Sequence, residues 1–260
     1  MRPTPLHLAL CTAAALVAMA ATTLLWGQQQ HDLVCSEQRF EGARFLVCPY
    51  DTLRYELRLA DRDASGDTLR SFRALAVFLG NDARRVRFAM NAGMFNLRGA
   101  PIGLYVENGT ELHRLNRANG PGNFHLKPNG VFWQAADGSV HVTETDAYAA
   151  LGAQPVYATQ SGPMLVIHGA LHPRFSADGD SHYIRNGVGV RDAHTAFFVI
   201  SRDEVSFGRF GRFFRDSLHC SDALFLDGHV SGLWAPQLNR QDHGFPLGPM
   251  VVVLNRPQRP

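Results

Sequence analysis

The sequence predicts a single α+β domain, with a mixed or mainly antiparallel sheet of short strands and two or three helices. Three observations lead there. Short apolar or alternating segments, separated by turn residues, recur along most of the chain. Only a few segments carry apolar residues at helical spacing. The 260 residues, 45% hydrophobic and 18% charged, suit one domain with a sizeable core rather than a disordered chain. No repeat of fixed period, low-complexity tract or linker divides them.

The elements follow in order. Arg2 precedes an apolar run over residues 6–26, long enough to span a bilayer. Ala18 and Ala20 offer a cleavage site, but Leu24, Leu25 and Trp26 extend the run past it. Residues 1–27 therefore read as a signal peptide or an N-terminal membrane anchor. Either reading exports the remainder to the periplasm or the extracellular space, and the second adds membrane association. Residues 28–42 read as a tether and the start of the domain, and 43–255 as the domain itself. In an oxidising compartment Cys35 and Cys48 are expected to pair; the alternative is two unpaired apolar residues. Cys220 ends an apolar helix-like stretch and is expected to be buried and inert.

Residues 43–47 form an apolar strand, and 53–59 alternate strictly, as a half-buried strand does. A polar turn at 61–67 can cap a helix. Leu69, Phe72, Leu75, Ala76 and Leu79 then recur at helical spacing. Val86, Phe88 and Met90 alternate into a glycine-containing loop. Asn108-Gly109 joins strands at 102–106 and 111–115, and Asp137-Gly138 joins 131–133 to 140–142. A short helix covers 145–151. Strands at 156–159 and 164–167 flank a Gln-Ser-Gly-Pro turn, and those at 188–190 and 195–200 flank Arg191-Asp192. A further helix covers 205–218, with Phe207, Phe210, Phe213, Phe214 and Leu218 inward. Apolar strands at 223–226 and 250–254 come last.

A net charge of +2 gives no electrostatic case for nucleic acid, which is not expected as a partner. Lys127 is the only lysine, so a lysine-based covalent mechanism would rest on it alone. Arginine instead offers a planar fork of donors suited to phosphate and carboxylate. His168 and His172 are four apart, but Gly169 and Pro173 argue against one helix presenting both to a metal. There is no His-Glu-x-x-His, no Walker loop and no Gly-x-Ser-x-Gly elbow. No metal or other cofactor is expected.

Four segments place polar residues and glycine at the ends of apolar strands, where a side chain can be held rigidly and a ligand can approach the backbone closely. They are Met90-Asn-Ala-Gly-Met-Phe95, Ala158-Thr-Gln-Ser-Gly-Pro-Met-Leu165, Ile184-Arg-Asn-Gly-Val-Gly-Val190 and Ala223-Leu-Phe-Leu-Asp-Gly-His-Val-Ser231. Taken singly, each is a common turn pattern. In this order they resemble the Asn-Gly-Gly-Phe-Phe, Gln-x-Gly-Pro-x-Leu, Arg-Thr-Ala-Ile-Gly and Ala-x-Asn-Leu-Asp-Gly-Gly-x-Ser segments of the phosphodiester glycosidase family, and within it a compact bacterial branch. Ala92 and His229 stand where better-known members have glycine, and Phe225 where they have asparagine.

The resemblance implies a hydrolase that cleaves a sugar-1-phosphodiester of envelope or exopolysaccharide glycans, so a carbohydrate or sugar phosphodiester is the expected partner. Such a reaction needs a carboxylate near the anomeric carbon. Asp227 is the first candidate and Asp192 the second, unless it is only a turn residue. His229, two residues after Asp227, can move a proton near neutral pH. Arg185 and Arg191 suit the phosphate, and Asn91, Gln160 and Ser161 the sugar hydroxyls. The alternatives are a non-catalytic exported glycan-binding protein of the same fold and a metal-dependent phosphodiesterase.

Overall fold

The computed structural model describes residues 35–227 and 230–257. The leader or anchor expected at 1–27 and His229 lie outside the described residues. Among those described, no helix is long and apolar enough to cross a membrane.

The described residues build an α+β domain of three antiparallel sheets. The first runs, in spatial order, β1 (Ser36–Phe40), β2 (Ala43–Asp51), β13 (Thr195–Ser201), β12 (Asn186–Asp192), β14 (Asp222–Asp227), β10 (Met164–Ile167) and β11 (Ala170–Leu171). The second runs β16 (Arg240–Gln241), β15 (Leu233–Ala235), β4 (Val86–Asn91), β17 (Met250–Asn255) and β3 (Tyr55–Ala60). The third runs β6 (Thr110–His113), β5 (Tyr105–Glu107), β9 (Tyr157–Ser161), β7 (Gly130–Gln134) and β8 (Val140–Glu144). Alternation explains how they share one core. Val188, Phe198, Leu224 and Leu226 of the first sheet meet Phe88, Met90 and Val251 of the second and Tyr105 and Phe132 of the third. Phe198 stands at the junction, its ring 5.5 Å from that of Phe88 and 5.4 Å from that of Phe132.

Three α-helices are described. α1 (Phe72–Leu79) is capped by Ser71, whose Oγ accepts from the Ala74 amide at 3.1 Å. The polar turn at 61–67 does not cap it; there Asp63 accepts from the Ser65 and Asp67 amides instead. α2 (Thr145–Leu151) follows the predicted bounds, and the Glu144 carboxylate caps it. The helix expected over 205–218 is shorter: α3 (Phe207–Arg212), capped by Ser206, passes into a π-helical turn at Phe213–Ser217. The wider turn accommodates an extra residue, and both Phe213 and Phe214 are fully buried there. Phe213 stacks on Phe45 at 4.0 Å. This helix lies close against β12 because Gly189 has no side chain; a Cβ there would come 2.5 Å from Phe214 Cδ1 and 2.7 Å from Cys220 Sγ. Cys220 is buried, and burial pushes its thiol up to about 12, which makes it inert at neutral pH.

Cys35 and Cys48 form a disulfide that ties β1 to β2, as an oxidising, exported compartment allows. The strand expected at 102–106 begins only at Tyr105, because the Gln160 side chain takes the Leu104 amide.

Where the second and third sheets meet, Glu107 accepts from the Tyr105 hydroxyl and from the Asp61 amide. Asp61 Oδ1 is buried without a hydrogen-bond partner, and its other oxygen lies 3.4 Å from Arg62. Burial is the main cause that raises both carboxyls above their ordinary range. A carboxyl raised in the folded state weakens folding progressively as pH rises through its ordinary and then its raised value, and costs nothing well below the ordinary carboxylate range, where both states are protonated. Glu107→Gln keeps an oxygen for both donors. It is expected to raise the melting temperature at pH 7 and to lose that gain as pH falls below the ordinary glutamate range. Thermal melts across pH check this, and a lower melting temperature at pH 7 would contradict it.

Candidate active site

The four strand-end segments meet. Asn186 and Asp227 stand opposite each other in the β12–β14 register, and Asn91 opposite Met250 between β4 and β17. The Asp227 amide donates to Asn186 Oδ1 at 2.8 Å. Asn186 Nδ2 donates to the Asn91 carbonyl at 3.2 Å, and Asn91 Oδ1 accepts from the Gly232 amide at 2.9 Å. The Ser161 hydroxyl donates to the Leu226 carbonyl at 2.6 Å, and the Ser231 hydroxyl to the Asp227 carbonyl at 2.9 Å. The Gly93 amide donates to Thr159 Oγ1 at 3.0 Å, closing the remaining gap between segments. Gly93 itself is required: a Cβ there would sit 2.3 Å from the Gln160 carbonyl oxygen.

Asp227 is the focus of these bonds. β14 supplies buried Ala223, Leu224, Phe225 and Leu226 in succession, and Asp227, 8% exposed, ends it. The backbone on both sides of its side chain is fixed, so the carboxylate is held by a strand rather than a loop. Asn91 is 0% exposed, and with its oxygen on Gly232 its Nδ2 is a buried donor with no partner among the described residues.

Arg185 is 1% exposed. Its Nε donates to the Val205 carbonyl at 2.8 Å and its Nη2 to the Ser181 carbonyl at 2.7 Å. Its guanidinium lies 3.7 Å over the Phe207 ring. No acidic side chain is among these partners. Burial lowers its pKa to about 10, which leaves it charged at neutral pH. One edge of the guanidinium fork thus holds protein carbonyls, with no carboxylate among these partners to balance its charge.

Three expectations are corrected. Gln160 does not present its amide to a ligand; Oε1 accepts from the Leu104 and Asn116 amides, and Nε2 donates to the Asn116 carbonyl and Thr145 Oγ1. Three of these bonds pin residues 104 and 116, at the two ends of the β5–β6 hairpin, to β9, and the fourth ties α2 to it. Gln160→Leu is expected to cost about 3 kcal/mol, because the buried Leu104 amide and the partly buried Asn116 amide lose their acceptor; denaturant titration measures it, and unchanged stability would contradict the pinning role. Asp192 and Arg191 lie at the far end of β12, roughly 20 Å from Asn186 at strand spacing. Asp192 is exposed and accepts from the His194 amide, as a turn aspartate does, and Arg191 lies over Phe197. Neither shares a site with Asp227. Ser161 is at the site, with its proton committed to Leu226.

Among the described residues, no three histidine, cysteine, aspartate or glutamate side chains group as metal ligands. His168 is exposed on a turn and His172 buried, so the pair is not presented together. Sequence reasoning assigned no role to Asn186, Thr159 or Ser231. Asn186 follows Arg185 in the third of the four strand-end segments, but which partner an asparagine bonds is not written in its neighbours.

A sequence profile described as phosphodiester glycosidase matches residues 84–254. The chain belongs to the phosphodiester glycosidase family. The match takes in all four segments of the site. The uncharacterised protein YigE of Escherichia coli K12 is 36% identical over 171 residues, a match that covers 66% of each chain. The fold is similar to that of the zebrafish N-acetylglucosamine-1-phosphodiester alpha-N-acetylglucosaminidase catalytic domain auto-inhibited by its pro-peptide. That likeness has a TM-score of 0.60 at 13% identity and covers 86% of this chain and 82% of the other. A putative exported protein from Burkholderia pseudomallei has a TM-score of 0.54 at 12% identity, covering 82% of this chain and 74% of the other. At these identities the likenesses speak for the fold alone. The fold thus brings together Asn91 of the second sheet, Ser161 of the third, and Asn186 and Asp227 of the first.

Proposed function

We propose that the chain is an exported hydrolase that cleaves the bond between the anomeric carbon of a sugar and a phosphodiester, in envelope or exopolysaccharide glycans. The observation that carries this is the hydrogen-bonded cluster in which Asn186, Ser161 and Ser231 fix the backbone around Asp227. A rigid carboxylate can stabilise the positive charge that develops at the anomeric carbon, or trap it covalently. The phosphomonoester leaves with the electron pair of the broken carbon–oxygen bond. It needs little help from a general acid, so one carboxylate suffices. Water completes the reaction at the same carbon, and its proton passes to Asp227 or to His229. Arg185 adds a buried positive charge that favours an anionic leaving group, and Asn91 Nδ2 is a donor free for a sugar hydroxyl.

The test is sugar release from a panel of sugar-1-phosphodiesters, N-acetylglucosamine among the sugars, by the full chain with and without chelator. Turnover unaffected by chelator supports the reading. Glycan binding without any turnover favours the non-catalytic alternative, and loss of turnover on chelation favours a metal-dependent phosphodiesterase.

A further inference from the structure

Asn129 ends the loop before β7 and is 0% exposed. Its Nδ2 donates to the Phe124 carbonyl at 2.8 Å, and its backbone carbonyl accepts from the Thr145 amide at 3.0 Å. That fixes which way the amide faces and leaves Oδ1 a buried acceptor with no hydrogen-bond partner among the described residues. A buried orphan of this kind is uncommon, and ligand sites are among the places that carry one. The position fits such a site. Gly130, the next residue, pairs with Ser161, and the Ser161 hydroxyl reaches the carbonyl of Leu226, next to Asp227. The facing Gly162 packs directly on Asn129, where a Cβ would stand 2.6 Å from Asn129 Cβ and 2.8 Å from the Phe124 carbonyl oxygen, so the Asn129 side chain is held in place. Asn91 Nδ2 is the other orphaned side-chain amide atom among the described residues, and it is a donor where Asn129 offers an acceptor.

We infer that Asn129 is a specificity-determining residue of the site, its Oδ1 accepting a hydrogen bond from a hydroxyl or amide N–H of the bound sugar. The inference rests on the hydrolase reading above. An acceptor held rigid and dry discriminates strongly, because a sugar lacking the matching donor leaves it buried and unpaired.

The experiment compares the full chain with Asn129→Ala and Asn129→Asp on an active sugar-1-phosphodiester and on analogues that each lack one sugar hydroxyl or amide. The wild type should lose at least tenfold in kcat/KM on one analogue, and Asn129→Ala should lose at least tenfold on the parent but little further on that analogue. Asn129→Asp keeps an oxygen acceptor and should retain part of the discrimination; it also serves if the alanine variant does not fold. An equal loss on the parent and on every analogue would show that Asn129 serves only the fold, and would overturn the inference. If the wild type turns over nothing, the hydrolase reading fails. Asn129 is then tested by equilibrium binding of the same sugar-1-phosphodiesters, and binding unchanged in both variants would overturn its role.

Discussion

Asp227→Asn is expected to lower kcat by about 10³-fold or more while leaving the fold intact. The two halves of that expectation have separate origins. The fold should survive because the backbone amide keeps its bond to Asn186 and the backbone carbonyl its bond from Ser231 in an asparagine variant. The flanking strand is also buried by its apolar side chains rather than by the aspartate. Activity should fall because an amide carries no negative charge to balance the charge developing at the anomeric carbon, and it is a poor nucleophile. Thermal melting and steady-state kinetics on one substrate separate the two. A variant that melts like the wild type and retains most of its turnover would remove Asp227 from the chemistry.

Arg185→Met is expected to damage both stability and binding. Three carbonyl and hydroxyl contacts, to Val205 and to the main chain and hydroxyl of Ser181, lose their donor. A cost of about 3 kcal/mol lowers the melting temperature by roughly 6–12 °C in a domain of this size. The lost charge should raise KM about tenfold for a phosphodiester substrate and leave KM for a glycoside with an uncharged aglycone unchanged. Equal effects on the two substrate types would assign Arg185 to the fold alone. Arg185→Lys keeps the charge but not the planar fork, so it should recover KM more fully than stability.

The strands were largely legible, since alternation such as that of 53–59 and turn pairs such as Asn108-Gly109 are local signals. Their division among three sheets was not. The Gln-Ser-Gly-Pro turn separates β9 from β10 into different sheets, and β4 pairs with two strands from the C-terminal part of the chain. Such long-range pairing depends on side-chain complementarity in the core, as between Phe88, Phe132 and Phe198, which no short window contains. The site was legible as a set of segments but not as a set of roles. Gln160 and Asn91 look alike in sequence, each a polar residue at the end of an apolar strand. One spends its side-chain bonds on Leu104, Asn116 and Thr145, and the other keeps a buried donor without a partner among the described residues. Asp192 resembles Asp227 in the same way, and only the direction of β12 separates them.

The most direct test of the central claim is hydrolysis in ¹⁸O-labelled water, because it reports which bond breaks. The account predicts that the label enters the released sugar at its anomeric oxygen and that the phosphomonoester carries none. Label in the phosphate, with sugar-1-phosphate as product, would mean attack at phosphorus and would contradict it.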